Sequence, residues 1–268
     1  MDLWRRAVAV DPARPFVTAY DEATGGRVEL SHATFDNWVA KTANLLVDGL
    51  GAEPGERVAL ALPVHWQSLV WLTACFSTGT TAVVAADGEQ GGGVPEGDIV
   101  VADAARLDAA LDAPGAREVV GASLHPLGAP LQDCPPAAMD YAVEVRGFGD
   151  RFAPAAPVRP AAVALDSGSG HRYTGSDLVA AAREKATEWK LTSADRVAII
   201  ASTSDPLTAL GHDLSRFLAA VHSASALVLT SGADSTNLQA RIDMERVTAI
   251  ADARPEPPPI SGTIKPLT

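Results

Sequence analysis

The stretch Asp166-Ser167-Gly168-Ser169-Gly170-His171-Arg172-Tyr173-Thr174 follows an apolar run, Ala161–Leu165, and precedes a helical pattern. Two serines and two glycines in such a place are residue types that hold phosphate. Backbone N–H groups and hydroxyls satisfy the phosphate oxygens, and glycine lets the chain approach closely. Arg172 supplies a cation, whereas Asp166 puts a negative charge where phosphate would sit, and the stretch has no lysine. Two readings stand. One is a small polar loop whose residue types suit an anion. The other is a residual tight turn between two elements.

Ser77-Thr78-Gly79-Thr80-Thr81 has a richer phosphate-loop composition. It runs from a helix into a strand, however, and phosphate binds where a strand leads to a helix N-terminus. It is therefore read as a helix-to-strand turn closed by Gly79. His65-Trp66, after Pro63, and Ser202-Thr203-Ser204-Asp205 follow apolar strands, at the edge where α/β proteins commonly bind ligands. His65, Trp66, Ser204 and Asp205 are thus candidate substrate contacts. For each the competing reading is a helix N-cap, as for Asp205 before Pro206. With the Ser167–Gly170 loop these edges would line one crevice.

Other chemistries find no support. No G-x-S-x-G elbow is present, and Gly91-Gly92-Gly93 precedes Val94-Pro95 instead of a helix, so neither a serine hydrolase nor a dinucleotide fingerprint is written here. The six histidines show no paired ligand spacing, and His212-Asp213 reads as a surface or capping pair. Asp103, Asp108 and Asp112 read as a solvated helix face. Cys75 and Cys134 form neither a CxxC pair nor a disulfide framework, and Cys75, within Leu72–Phe76, reads as a small buried hydrophobe.

The elements that position these residues alternate between strand and helix. Phe16–Tyr20 and Arg27–Leu30 read as a hairpin, and Ser31 as the N-cap of a helix reaching about Gly49. Arg57–Leu62 is a nearly continuous apolar strand, followed by a helix over Trp66–Phe76 and strands at Thr81–Ala85, Ile99–Ala102 and Arg117–Ala122. Ala104–Leu111 reads as a short helix, and Tyr141–Arg146 as an edge strand in a proline-rich connector. The class is α/β with a largely parallel sheet. The proline-rich segment 254–268 is expected to be disordered or draped on the surface.

The pattern then restarts. Tyr173-Thr174-Gly175-Ser176-Asp177-Leu178 opens a helix as Leu30-Ser31-His32-Ala33-Thr34-Phe35 does, and Arg196-Val197-Ala198-Ile199-Ile200 repeats Arg57-Val58-Ala59-Leu60-Ala61. The two spacings differ by about one helical turn. Trp71–Ala74 matches Phe217–Ala220, and Thr81–Val83 matches Leu227–Leu229. Two similar α/β halves follow, over 1–150 and 151–253.

The chain has 268 residues, with 21 Lys+Arg against 33 Asp+Glu and a net charge of −12. That balance argues against nucleic acid and against an anionic membrane surface, and there are only four lysines. No apolar run approaches the roughly 20 residues needed to span a bilayer. Ala7–Val10 after Arg5-Arg6 is too short for a signal peptide. A cytoplasmic protein is expected.

The order of these motifs resembles the adenylate-forming superfamily of acyl-CoA synthetases, peptide-synthetase adenylation domains and luciferases. The resemblance rests on Gly25-Gly26-Arg27-Val28-Glu29-Leu30-Ser31, Gly51-Ala52-Glu53-Pro54-Gly55-Glu56-Arg57-Val58, Leu62-Pro63, Gly79…Val83-Val84, Leu191-Thr192-Ser193-Ala194-Asp195-Arg196-Val197 and Glu245-Arg246-Val247-Thr248. It runs from about Arg14 to Ala251 and looks closest to a short actinobacterial acyl-CoA-synthetase-like group. The resemblance implies two βαβ-rich subdomains, and ATP or AMP with Mg²⁺ as the cofactor if any is bound. The resemblance implies that Ser167, Gly168, Ser169, Gly170, Arg172 and Thr174 are a shortened form of the family's phosphate loop and would contact nucleotide; in the family that loop ends in a lysine, which is missing here. The segments that bind adenine, ribose and Mg²⁺, and the domain with the catalytic lysine, have no counterpart in this sequence. The expectation is a degenerate adenylate-forming-like domain, not catalytic alone, acting as a ligand- or partner-binding module with a protein partner or a second copy. The alternative is half of an AMP-forming acyl ligase, active only with a partner chain.

Overall fold

The computed structural model describes residues 2–267 apart from 22–24, 86–92, 169, 202–204, 232–234 and 253–263. The first repeat contains α1 (Asp2–Val10), β1 (Pro15–Tyr20), β2 (Arg27–Ser31), α2 (His32–Asn44), β3 (Arg57–Ala61), α3 (Trp66–Thr78), β4 (Thr81–Val84), β5 (Ile99–Asp103), α4 (Leu107–Leu111) and β6 (Glu118–Ala122). The connector holds β7 (Met139–Asp140) and α5 (Tyr141–Glu144). The second repeat contains β8 (Val163–Asp166), β9 (Arg172–Thr174), α6 (Gly175–Glu188), β10 (Arg196–Ala201), α7 (Ser215–Ser223), β11 (Ala226–Ser231), α8 (Ser235–Met244), β12 (Ala249–Asp252) and β13 (Lys265–Leu267).

These strands form two mixed, mostly parallel sheets, in the orders β7-β6-β5-β3-β4-β8-β9 and β13-β12-β10-β11-β1-β2. Each repeat lends its opening hairpin to the other's sheet: β1 pairs with β11, and β8 with β4. The segments 1–150 and 151–253 are therefore interlocked, with β1–β2 in one sheet and β8–β9 in the other.

Alternation along each strand sends its residues to two buried faces. In β3, Val58 and Leu60 join the large core that both sheets share with α2, α3, α6 and α7, while Ala59 and Ala61 face the other way. The small residues admit the short α4 closely, through Leu107 and Ala110. In β10, Val197 and Ile199 face the shared layer, and Ala198 and Ile200 pack on α8 through Leu238 and Ile242. The result is five layers, with one helix layer between two sheets.

Helix ends follow sequence chemistry. Ser31 accepts from the Thr34 N–H, and Thr174 and Asp177 form a complete capping box on α6. Gly79 closes α3 at φ 81°, a left-handed conformation that glycine adopts without Cβ strain.

Four expectations are corrected. Tyr141–Arg146 is helical because Asp140 caps it, accepting from Ala142 and Val143, and the edge strand is the preceding Met139–Asp140. Lys265–Leu267 is not loose tail but the edge strand beside β12, with the Lys265 ammonium on the Trp189 carbonyl. Arg57 pairs with Thr81 and Arg196 with Ala226, so Thr81–Val83 corresponds to Ala226–Val228, one residue earlier than the sequence match. Asp103 is buried at the end of β5 and bound to Arg106 at 2.5 Å; it is no part of a solvated face.

Candidate functional site

Three segments converge at the carboxyl ends of the central strands. After β3 the chain turns at Pro63, after β10 it reaches Pro206, and these two prolines pair as an isolated antiparallel bridge. That bridge sets His65 and Asp205 on neighbouring segments. The turn between β8 and β9 leans toward the same place, with the His171 ring 6.4 Å from that of His212. The edges after β3 and β10 thus adjoin at a crevice, while the contact of the β8–β9 turn is with His212. Between Tyr20, His65, Ala201 and Thr230 the crevice keeps, among the described residues, a cavity of about 20 Å³, room for about one water.

His65 is the N-cap of α3, and its Nδ1 accepts from the Gln67 N–H at 3.3 Å. Accepting requires a neutral ring, and burial pushes its pKa down to about 4. Trp66 belongs to the core instead of the crevice: it is 1% exposed and packs edge-on against Trp38 at 5.3 Å. Asp205 has partners of its own, and Ser204 lies outside the described residues. No local signal announces that Trp66 Nε1, the Gln67 amide and Ser68 Oγ are buried without a hydrogen-bond partner among the described residues. They crowd the first turn of α3, in a run apolar enough to be read only as core.

The serine–glycine loop is a hairpin turn, and the side chains of Asp166, Ser167, Arg172 and Thr174 are committed to partners within the protein. Asp166 Oδ2 accepts from Arg57 Nη1 and from Arg172 Nε, each at 3.1 Å, while Oδ1 takes the Gly168 N–H. Burial works to raise the Asp166 pKa, but the Gly168 N–H, Arg172 and Arg57 outweigh it and hold the carboxyl below its ordinary value. Ser167 is fully buried, and its Oγ donates to the His171 carbonyl. Thr174 Oγ1 donates to Asp177 within the capping box. Gly168 and Gly170 take left-handed φ values of 71° and 83°, as a tight hairpin turn requires. Ser169 lies outside the described residues.

Phosphate fits this arrangement poorly. Arg172 is turned onto Asp166, and the hydroxyls of Ser167 and Thr174 already donate within their own turns. Sequence reasoning missed Arg57. An arginine opening a strand that is otherwise apolar needs an acid, and that need was the available signal. Among the described residues no group of three or more His, Cys, Asp or Glu side chains is placed to hold a metal. No described helix is long and apolar enough to cross a membrane.

A 35% identical "TIGR03089 family protein" of Mycobacterium tuberculosis aligns over 244 residues, 90% of this chain and 92% of the relative. The chain belongs to the TIGR03089 family. Residues 4–94 match the AMP-binding enzyme family. The fold is shared with an acyl-CoA synthetase from Brucella canis, at a TM-score of 0.73 and 16% identity over 93% of this chain. It is shared equally with the anthranilate CoA ligase AuaEII, solved in complex with anthranoyl-AMP, at a TM-score of 0.72 and 15% identity over 93% of this chain. The chain spans 47% and 48% of those two proteins, about half their length.

Proposed function

We propose that this member of the family does not itself form adenylates, and that it works by binding a ligand or a protein partner through the adenylate-forming fold. The observation that carries this reading is Asp166. The acid stands at the head of the loop and occupies two guanidinium groups, so the local cations are neutralised before any phosphate arrives. Phosphate would meet a carboxylate there, and like charges at contact distance in a partly buried site are strongly unfavourable. Mg²⁺ would enter only with ATP. The partner on this reading is a protein or a second copy of the chain.

A second reading is half of an AMP-forming acyl ligase completed by another chain. It is favoured by one observation: the chain spans about half of the solved acyl-CoA synthetases it resembles. Calorimetric titration with Mg·ATP, then AMP, separates the two. Absence of heat up to millimolar nucleotide is expected if the fold serves as a binding module. Binding at micromolar strength would favour the partner-dependent ligase.

A further inference from the structure

A second cavity, far larger than the one in the crevice, lies elsewhere in the fold. It encloses about 690 Å³, within the roughly 300–1,000 Å³ usual for small-molecule sites. It lies at the opposite end of the strands, where Gly79 and Thr80 lead α3 into β4 and where β8 begins at Val163. Its walls are Trp4 of α1, Phe76 of α3, Leu178 of α6, and Phe217 and Val221 of α7. Across them runs the strap 153–162, whose Pro154, Pro157 and Pro160 have no N–H to pair and which is tied to α6 where the Ser176 N–H donates to the Pro160 carbonyl at 2.8 Å.

The charges at this cavity are unusual for the chain. Arg5, Arg6 and Arg159 line it, all exposed, and the lining has no Asp, Glu, Lys or His. None of the three makes a side-chain hydrogen bond or ion pair with the described residues. In a chain with twelve more acids than bases, three unpaired arginines converging on one apolar cavity form a local reversal of sign. Val179, 48% exposed, adds an apolar surface on the helix face beside them.

We propose that this cavity binds a single-chain anionic amphiphile, an alkyl chain carrying a carboxylate or phosphate head. The alkyl chain fills the space between the strap and the helices, and the head stays at the rim against Arg5, Arg6 and Arg159. Guanidinium groups match both heads because their N–H pairs meet two oxygens in one plane. The apolar walls supply the burial and the arginines the selection. Nothing in this site depends on the nucleotide crevice, so it stands whether or not the loop binds ATP.

The test is calorimetric titration of the whole chain with dodecanoate, dodecyl phosphate and dodecanol, each below its aggregation concentration. Both anions are expected to bind more tightly than the neutral alcohol, and the tighter of the two identifies the head. Replacing the three exposed arginines together (R5Q/R6Q/R159Q) should weaken the anions at least about tenfold, about 1.4 kcal/mol, and leave the alcohol unchanged. Val179→Asp should weaken the anions as well. A control triple of equal net charge, R151Q/R183Q/R246Q, should leave affinity within about twofold. The proposal is overturned if the control weakens the anions equally, if the alcohol binds as tightly as they do, or if neither anion binds up to about 1 mM. Attachment to phosphatidylglycerol vesicles without binding of the dispersed anions would also overturn it, since the surface would then be reading a membrane.

Discussion

Arg57 and Arg196 hold the same register position in the two sheets, opposite Thr81 and Ala226, and each is held by the residue that opens its neighbouring strand connection. The Arg57 N–H donates to Asp98 Oδ2 at 2.8 Å, and the Arg196 N–H to Thr248 Oγ1 at 3.1 Å. The return bonds, Asp98 N to Arg57 O and Thr248 N to Arg196 O, are 2.8 and 3.0 Å. The side chains then diverge. Arg57 meets Asp166 at the loop, whereas Arg196 meets Glu245 at 2.6 Å, just after α8. One repeat has placed its arginine against the candidate site and the other against the scaffold.

Glu245 is 4% exposed and also accepts from Arg27 at 2.7 Å and Tyr20 at 2.7 Å. It therefore ties the borrowed β1–β2 hairpin to the second repeat. Burial works to raise its pKa, but Arg27, Tyr20 and Arg196 hold it below the ordinary carboxylate value. Glu245→Gln should cost about 3 kcal/mol, the low end for a broken buried ion pair because both arginines keep solvent contact. The stability it supplies is present above the unfolded pKa near 4.5 and is lost as pH falls through the lower folded value. Urea melts at pH 7 and pH 3 check both points: the gap between wild type and variant should narrow at acid pH.

Cys75 should be silent to thiol reagents in the folded protein. It is fully buried, and burial pushes its thiol up to about 12, so almost no thiolate forms at neutral pH. Cys134 is half-buried and belongs to the connector. A disulfide-exchange reagent should count one slow thiol in the native state and two in denaturant. Rapid modification of both without unfolding would mean that the middle of α3 opens locally.

How much of this was legible depended on whether the signal was local. Ser31, Thr174 and Gly79 act on their own helix ends, and the run Arg57–Ala61 declares a two-sided buried strand by itself. The exchange of hairpins has no local signature, because β1 and β8 pair across more than 80 residues of chain with strands of the other repeat. Lys265–Leu267 looked like tail because Pro266 is a poor ladder residue, yet an edge strand tolerates it. At the loop, the residue types were readable but their commitments were not. Asp166 reads as an obstacle to phosphate, while its partner Arg57, 109 positions away, reads only as the start of a strand.

His65 provides a pH signature above the range in which ordinary carboxylates titrate. Its folded pKa of about 4 lies below the unfolded value, so the unfolded chain binds the extra proton between the two. Stability should be complete above about pH 6.5 and fall by at most about 3 kcal/mol as pH drops toward 4. The ceiling applies because the ring keeps an opening to the small crevice cavity. His32 is lowered by burial too and adds a slope of the same sign, so the informative quantity is a difference. His65→Asn retains a capping acceptor and should flatten the slope between pH 6.5 and 5 relative to wild type. Identical slopes would show that His65 is already solvated.

Asp166 decides whether the loop is only distracted from phosphate or has lost the means to hold it. Asp166→Asn removes the charge and releases Arg57 and Arg172. The pair is partly solvated, with the Arg172 side chain 60% exposed, so the stability cost should stay within about 1 kcal/mol. If the two guanidinium groups are all that the carboxylate withholds, the variant should bind ATP at least about tenfold more tightly than wild type, or about 1.4 kcal/mol. Adding Arg172→Gln to it should abolish the gain. The variant alone leaves Ser167 buried against the His171 carbonyl and Thr174 in its capping box, so any gain measured by titration reports on the cations and not on the hydroxyls. No gain would mean that the turn itself, through its inward hydroxyls, excludes phosphate whatever charge stands at its head.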